Sequence, residues 1–337
     1  MAEAWRSIGG AGDLTANEER ALVIKAKGGL GNRMLSAVTG CVLAELNGRT
    51  PYIDWRDGMY VPPGENLYPL LFDASWMGDL TAFDNATDVA PTPWSGHMDE
   101  QPVDIIRRDF PNGHRNPLLY RKLSIDLVGP DPSAKVGVFW SYLPKFKRLA
   151  SRMAAHPGFS GRDIDQITSD LLDRFFRPVE EVRREVDRIF EGQSGPVIGV
   201  HIRFTDRKAP LPKIMRELER LASESPEAAI FLATDSAEAQ DAVMSRFPAT
   251  LTIDKALASD DTALHFSSEG FSDPITEARN ALIDMMALAR CDSLLHSRHS
   301  TFSVTAALLG RIPKARQVDV DRFNAKVAIK QFIQART

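Results

Sequence analysis

Two cysteines in 337 residues, Cys41 and Cys291, lie far apart and in no metal-ligand spacing. That argues against a disulfide scaffold and a Cys-rich zinc site, and it suits a reducing cytoplasm. No apolar run approaches the ~20 residues that span a bilayer. The opening Met-Ala-Glu-Ala-Trp-Arg has no basic stretch followed by an apolar one, so no secretory signal is expected. Neither sign of charge dominates: 41 Lys and Arg stand against 45 Asp and Glu, a formal net charge of −4. A generally basic nucleic-acid or membrane-surface protein is thereby disfavoured, while a local basic cleft is not. Short internal repeats and low-complexity tracts are missing as well. What remains is the composition of a folded chain, 43% hydrophobic and 26% charged, with a length that suits about two domains.

The first 19 residues read as a loose tail, with ordered structure expected from near Glu19–Ala21. Ala21–Ala26 is a short apolar run stopped by Gly28-Gly29, the pattern of a buried strand entering a tight loop. From Asn32 to Asn47, Met34, Val38, Cys41, Val42 and Leu46 recur at helical spacing, with Gly48 as C-cap. Pro51–Trp55 reads as the next strand, completing a βαβ unit. Residues 58–135, rich in Pro, Gly and Trp, read mostly as loops with short elements, and Val136–Trp140 as a strand. Asp163–Phe190 reads as helix interrupted at Arg177-Pro178. A second alternation follows: strands at Val197–Ile202, Ala229–Ala233, Thr250–Ile253 and Ser293–His296, and helices at Leu211–Ser223, Ala237–Arg246, Thr276–Arg290, Ser303–Leu309 and Ala325–Gln334. The expected fold is α/β, with two Rossmann-like domains facing a cleft, divided as 20–175 and 176–337.

The loop Lys27-Gly28-Gly29-Leu30-Gly31-Asn32-Arg33-Met34 joins strand to helix. Its glycines permit a tight turn, and the helix N-terminus offers N–H groups to an anion or polar ligand, which makes Gly29, Gly31, Asn32 and Arg33 candidates for donor binding. It is also an imperfect G-x-G-x-x-G with Met34 in the third place, and Asp54 stands 23 residues after Gly31. A dinucleotide-dependent oxidoreductase using Gly29, Gly31 and Asp54 is therefore a rival reading.

In the second half, polar residues gather at strand ends, where α/β sheets bind ligands. His201, Arg203, Asp206, Arg207 and Lys208 follow the strand Val197–Ile202, and a guanidinium fork suits a diphosphate. Asp235 ends another strand, as either an active-site acid or the N-cap of the next helix. Ser297, Ser300 and Thr301 open a helix whose hydroxyls and N–H groups suit phosphate oxygens, an ordinary N-cap being the plainer alternative. Asp284 sits among Leu282, Ile283, Met285 and Met286. A buried carboxylate there needs a partner, and the paired N–H and NH₂ donors of guanine fit one; an exposed helix face is the other reading.

These stretches resemble the α1,6-fucosyltransferase superfamily, most closely the rhizobial nodulation fucosyltransferases. The resemblance is carried by GGLGNRM, by NGRTPYIDWRDGMY (47–60), by GVHIRFTDRK (199–208) and by the run from FLATDS to SRHSTFS (231–303). It implies a two-domain GT-B fold, a GDP-fucose donor, inversion at the sugar carbon and no required metal or other cofactor. By motif position, Arg203 would hold the β-phosphate, His201 would contact the nucleotide, Asp284 would read guanine, Ser300 would bind phosphate, and Asp235 would lie at the active site. Phe204 stands where the family often has a second arginine, and no acid occurs between Ala209 and Glu217 where some members carry a candidate base. The base is thus open among Asp54, Asp206 and Asp235. Asp54, Trp55 and Arg56 are expected on the acceptor side, with the acceptor meeting residues 56–135.

The expected activity is fucose transfer to a glycan or lipo-oligosaccharide hydroxyl in the cytoplasm, with membrane association arising only through a lipid-linked acceptor. A non-catalytic sugar-nucleotide or glycan binder is a third reading. Two D-x-D strings, Asp163-Ile164-Asp165 and Asp319-Val320-Asp321, follow no clear buried strand of the sort a metal–nucleotide site needs, and no metal ligands are expected.

Overall fold

The computed structural model describes residues 20–111, 119–203, 210–255, 257 and 273–320. The N-terminal tail, residues 204–209 with Asp206, Arg207 and Lys208, Asp321 and the helix expected at 325–334 all lie outside the described residues. The described chain divides into two units, one ending at Phe176 and the other beginning at Arg177.

In the first unit, β1 (Ala21–Lys25) is buried at all five positions, as a continuous apolar run in a sheet covered on both faces should be. It pairs in parallel with β2 (Thr50–Asp54) on one side and β4 (Val136–Trp140) on the other, and the short β3 (Val89–Ala90) lies beyond β4. The register sets Lys25 opposite both Asp54 and Trp140. Helix α1 (Leu30–Asn47) ends at Gly48, which takes the left-handed conformation and returns its N–H to Ala44 and Glu45. The expected one-sided helix is in fact buried at every position from Leu30 to Ala44. It packs on β1 and β2 and also on α5 (Phe146–Ala155) and α6 (Ile164–Phe175), so no face is left for water.

Between β2 and β4 the chain forms α2 (Leu67–Leu71), α3 (Pro102–Asp109) and α4 (Leu119–Lys122) with two 3₁₀ turns. Periodicity is weak there because single large side chains do the packing. Trp94, Met98, Ile105 and Leu123 cluster against Val23, Val136 and Val138, and the Trp94 indole donates to the Leu123 carbonyl at 2.9 Å.

The second unit opens with α7 (Glu180–Ile189), separated from α6 by Pro178. Its sheet is wholly parallel in the order β6-β5-β7-β8, built from β5 (Val197–Ile202), β6 (Ala229–Thr234), β7 (Ser293–His296) and β8 (Gln317–Asp319). Helices α8 (Leu211–Glu224), α9 (Ala237–Arg246), α10 (Pro274–Ala289) and α11 (Thr301–Leu309) complete it. The expected strand at Thr250–Ile253 reduces to one bridge, Leu251 to Phe231. β8 was not expected; three half-buried residues at a sheet edge carry too little pattern to be read. Gly310 is required by close approach, since a Cβ there would fall 2.0 Å from the Ala289 carbonyl oxygen. No described helix is long and apolar enough to cross a membrane.

Candidate functional site

The chain runs from β5 to β6 on one side and returns to β7 on the other. The reversal leaves a crevice at the C-terminal ends of β5 and β7, the position where open α/β sheets bind ligands. His201 lies on β5 at that end and Arg203 follows it, half-buried. The His201 ring stacks on Phe302, centroids 5.1 Å apart and planes 22° from parallel. Burial, together with His296, Arg203 and Lys255, pushes the His201 pKa down to about 3, so the ring is neutral at physiological pH.

Asp284 is 3% exposed on α10, which settles the exposed-face reading against itself. Lys255 donates to its Oδ2. Burial raises the carboxyl against the opposing pull of that ammonium. Ser300 occupies the N-cap position of α11, yet its hydroxyl makes no cap bond. The turn before it is closed instead by Ser300 N–H donating to the Ser297 carbonyl at 3.0 Å and by His299 N–H donating to Ser297 Oγ at 3.2 Å. Three buried side-chain atoms here have no hydrogen-bond partner among the described residues: His201 Nδ1, Asp284 Oδ1 and Ser300 Oγ. They belong to one neighbourhood. Lys255 binds Asp284 and acts on His201, and Phe302, in the first turn of α11, covers the His201 ring. An unmet buried donor or acceptor costs about 1–3 kcal/mol, and three together describe a surface built for a polar ligand.

Asp235 is half-buried at the end of β6. The cap of α9 is its neighbour Ser236, whose hydroxyl accepts from Ala239 N–H, so Asp235 is not spent as a cap. Lys255 and Phe302 carried no signal in spacing; only the folded chain shows that one holds Asp284 and the other His201.

The first unit corrects several expectations. Asp54 is 1% exposed and sits between Lys25 at 2.7 Å and Arg56 at 3.0 Å. Burial alone would raise its carboxyl, but the two cations outweigh burial and hold it below the usual carboxylate range. It has no surface for an acceptor, and neither a free base nor a ribose ligand can be made of it. Arg56 is 8% exposed and divides its guanidinium between Asp54 and Asp84. Trp55 is wholly buried among Tyr68, Phe72 and Phe176, offering no face to a sugar. The IDWR run that looked like an acceptor edge is core.

Arg33 is likewise buried. It donates to the Gly28 carbonyl at 2.7 Å and to Asp57 at 2.7 Å, with Trp55 and Tyr60 against its guanidinium. It ties the glycine loop to the loop after β2, and its Nη1 has no hydrogen-bond partner among the described residues. Gly29 opens α1 with clear space where a side chain would stand, Gly31 is buried, and Asn32 keeps a buried Oδ1 without a partner. Gly28 holds φ +78°, and a Cβ on it would come within 2.6 Å of the Tyr142 ring. Gly28→Ala should therefore lower stability by about 1–2 kcal/mol or more, read as a drop in melting temperature.

Of the two D-x-D strings, Asp321 lies outside the described residues. Asp163 caps α6, accepting from Asp165 N–H at 2.8 Å, and Asp319 accepts from Arg298 N–H at 3.2 Å. Among the described residues no group of three or more His, Cys, Asp or Glu is placed to hold an ion.

Residues 164–334 match the family model of Nodulation protein Z (NodZ). Nodulation protein Z of Bradyrhizobium diazoefficiens is 24% identical over 303 residues, covering 83% of this chain and 76% of that one. Nodulation protein Z of Sinorhizobium fredii is 22% identical over 340 residues, covering 93% and 97%. Among solved structures, NodZ α-1,6-fucosyltransferase soaked with GDP-fucose superimposes with a TM-score of 0.62 at 24% identity, over 88% of this chain and 94% of that chain. A mutant of Arabidopsis thaliana FUT1 in complex with GDP gives 0.52 at 17% identity, over 89% and 72%. The family model spans half of the sequence and takes in the whole neighbourhood of His201, Asp284 and Ser300. The chain belongs to the nodulation protein Z family and has the GT-B fold.

Proposed function

We propose that the chain transfers fucose from GDP-fucose to a glycan or lipo-oligosaccharide hydroxyl, with inversion and without a metal. The observation that carries the reading is the set of unmet buried polar atoms at the crevice, His201 Nδ1, Asp284 Oδ1 and Ser300 Oγ. A guanine nucleotide supplies what each of them lacks. The guanine N–H and NH₂ donate to Asp284, whose Oδ1 is open while Lys255 holds the other oxygen. Phosphate oxygens accept from the Ser300 hydroxyl and from the N–H groups that open α11, with Ser297 and Thr301 beside them. Gly29, Gly31 and Asn32 remain candidates for the donor's far side.

In the reaction, the acceptor oxygen attacks the anomeric carbon from the face opposite the diphosphate. The bond from that carbon to the phosphate oxygen breaks, the hydroxyl proton passes to a carboxylate, and GDP leaves. Arg203 faces the charge that develops on the departing diphosphate, in the role that fixed donors fill where no metal neutralises a leaving group. Asp235 is our choice for the carboxylate; Asp206, in the segment outside the described residues, is the other candidate. A lipid-held acceptor would bring this cytoplasmic reaction to a membrane surface.

The dinucleotide reading has no support in the first unit, because Asp54 is enclosed by two cations and Met34 fills the third glycine's place as fully buried core. Calorimetry with GDP, UDP and NADH separates the readings, and NADH binding more tightly than GDP would overturn ours. Asp284→Asn should weaken GDP by roughly 10- to 100-fold, the worth of a hydrogen bond to a charged group. UDP affinity should change little. A thermal melt of the variant checks that Lys255 still packs.

A further inference from the structure

Lys255 reaches the crevice by a route that fixes it there. The segment before it lies beside β6 through a parallel bridge: Leu251 N–H donates to the Ile230 carbonyl at 2.7 Å, and Leu232 N–H to the Leu251 carbonyl at 2.9 Å. Running parallel to β6, the segment arrives at the C-terminal end of the sheet, where His201 stands. The Lys255 side chain is 11% exposed there and donates to Asp284 Oδ2. Its charge also helps to lower the His201 pKa and opposes burial at the half-buried Glu277, two turns earlier on α10. Among the described residues, however, it hydrogen-bonds and pairs with Asp284 alone.

That ammonium makes the two oxygens of Asp284 unequal. Oδ2 already accepts from Lys255, whereas Oδ1 has no partner among the described residues. A carboxylate oxygen has two acceptor positions, so Oδ2 has room for one more donor. The edge of guanine presents O6, N1–H and the 2-amino group in that order: acceptor, donor, donor. It can lie on a carboxylate in two ways. With N1–H on Oδ2 and the 2-amino group on Oδ1, O6 comes to the side where the ammonium stands, and Lys255 still has protons to donate to it. Turned over, the 2-amino group would meet the ammonium, donor against donor, and O6 would gain nothing from the pair. In a buried site such a mismatch is costly, and it selects the first arrangement.

We propose that Lys255 sets base specificity beside Asp284: it orients the base and donates to a carbonyl oxygen at the 6-position, so that the crevice takes a 6-oxopurine nucleoside diphosphate and rejects a 6-aminopurine. The proposal rests on the reading of Asp284 as the guanine contact. Adenine loses on both counts, because its 6-amino group would face the ammonium and its N1 has no proton for Asp284.

The test is calorimetry on the full chain with GDP, 6-thio-GDP, IDP and ADP. 6-Thio-GDP replaces only O6, by a weakly accepting sulfur, and IDP lacks only the 2-amino group. The native chain should bind GDP about tenfold more tightly than 6-thio-GDP, and also more tightly than IDP, with ADP weakest. In Lys255→Met the gap between GDP and 6-thio-GDP should close to within about twofold, while the gap between GDP and IDP persists. A merely distorted pocket would weaken all the ligands together and keep both gaps. An unchanged 6-thio-GDP gap in Lys255→Met would overturn the proposal, as would native affinity for ADP equal to that for GDP. If Lys255→Met melts early, the double variant Lys255→Met/Asp284→Asn, which leaves no buried charge of the pair unmatched, is compared with Asp284→Asn; the gap should be present in the single variant and absent from the double one. Asp284→Asn also separates the two levels. GDP affinity unchanged in it would overturn the guanine reading and this proposal together. GDP weakened in it, with the 6-thio-GDP gap surviving the loss of Lys255, would overturn this proposal alone.

Discussion

Arg203→Ala should reduce transfer from GDP-fucose by about 10²–10³-fold in kcat, the usual effect of removing one preorganised donor from a developing negative charge. The residue follows β5 directly, at the C-terminal edge of the sheet, close enough to His201 to depress that ring's pKa. Charge on the diphosphate grows as the sugar departs, so the loss should fall on kcat more than on KM. The melting temperature should hold within a few degrees. Arg203→Lys should recover only part of the rate, because an ammonium supplies charge but not the planar fork. A loss below roughly tenfold, about 1.4 kcal/mol of barrier, would show that the guanidinium does not meet the leaving group.

Asp54→Ala should destabilise the first unit by about 3–5 kcal/mol, the cost of breaking a buried ion pair by removing one partner. Lys25 and Arg56, 3% and 8% exposed, would be left facing one another without the carboxylate that now separates them. Lys25 would keep the Met98 carbonyl and the Trp94 ring, neither of which carries a compensating charge. Against a typical total of roughly 5–15 kcal/mol, that loss should be plain in urea melts. The same carboxylate makes stability depend on pH. Its folded pKa lies below its unfolded value, near 3.9. Its contribution is therefore present above that value and is lost as pH falls through the lower, folded one. The variant's melts should accordingly show a shallower acid limb than those of the native chain. A variant of native stability but without acceptor turnover would restore Asp54 to the active site.

His201, Arg203 and Asp284 stand out in the chain alone because each breaks a local rule. Two polar residues alternate with Val200 and Ile202 at a strand end and an acid interrupts an apolar helix, whereas Ser300 at a helix start follows the ordinary N-cap preference. Such conflicts between residue and pattern mark candidate sites. IDWR breaks the same rule and misled. Asp54 ends an apolar strand much as His201 does, but the register sets Lys25 beside it, and Arg56 comes back over it from two residues on. The strand-end pattern is similar in the two cases; only tertiary neighbours show that Asp54 is already paired while His201 Nδ1 has no partner among the described residues.

Apart from α5, β8 and the expected strand at Thr250–Ile253, the main strand and helix order in the described residues followed from apolar runs and glycine stops, which are local properties of the chain, and so did the parallel sheets that such an order imposes. Which buried polar groups have partners was decided by tertiary contact: Lys255 reaching Asp284 across 29 positions, Phe302 lying over His201, Arg33 drawn inward by Asp57. Hydrogen bonding and charge pairing act over a few ångströms in space and take no account of distance along the chain. A single sequence therefore carries its periodicities openly but leaves the partners of its buried charges to be settled by folding.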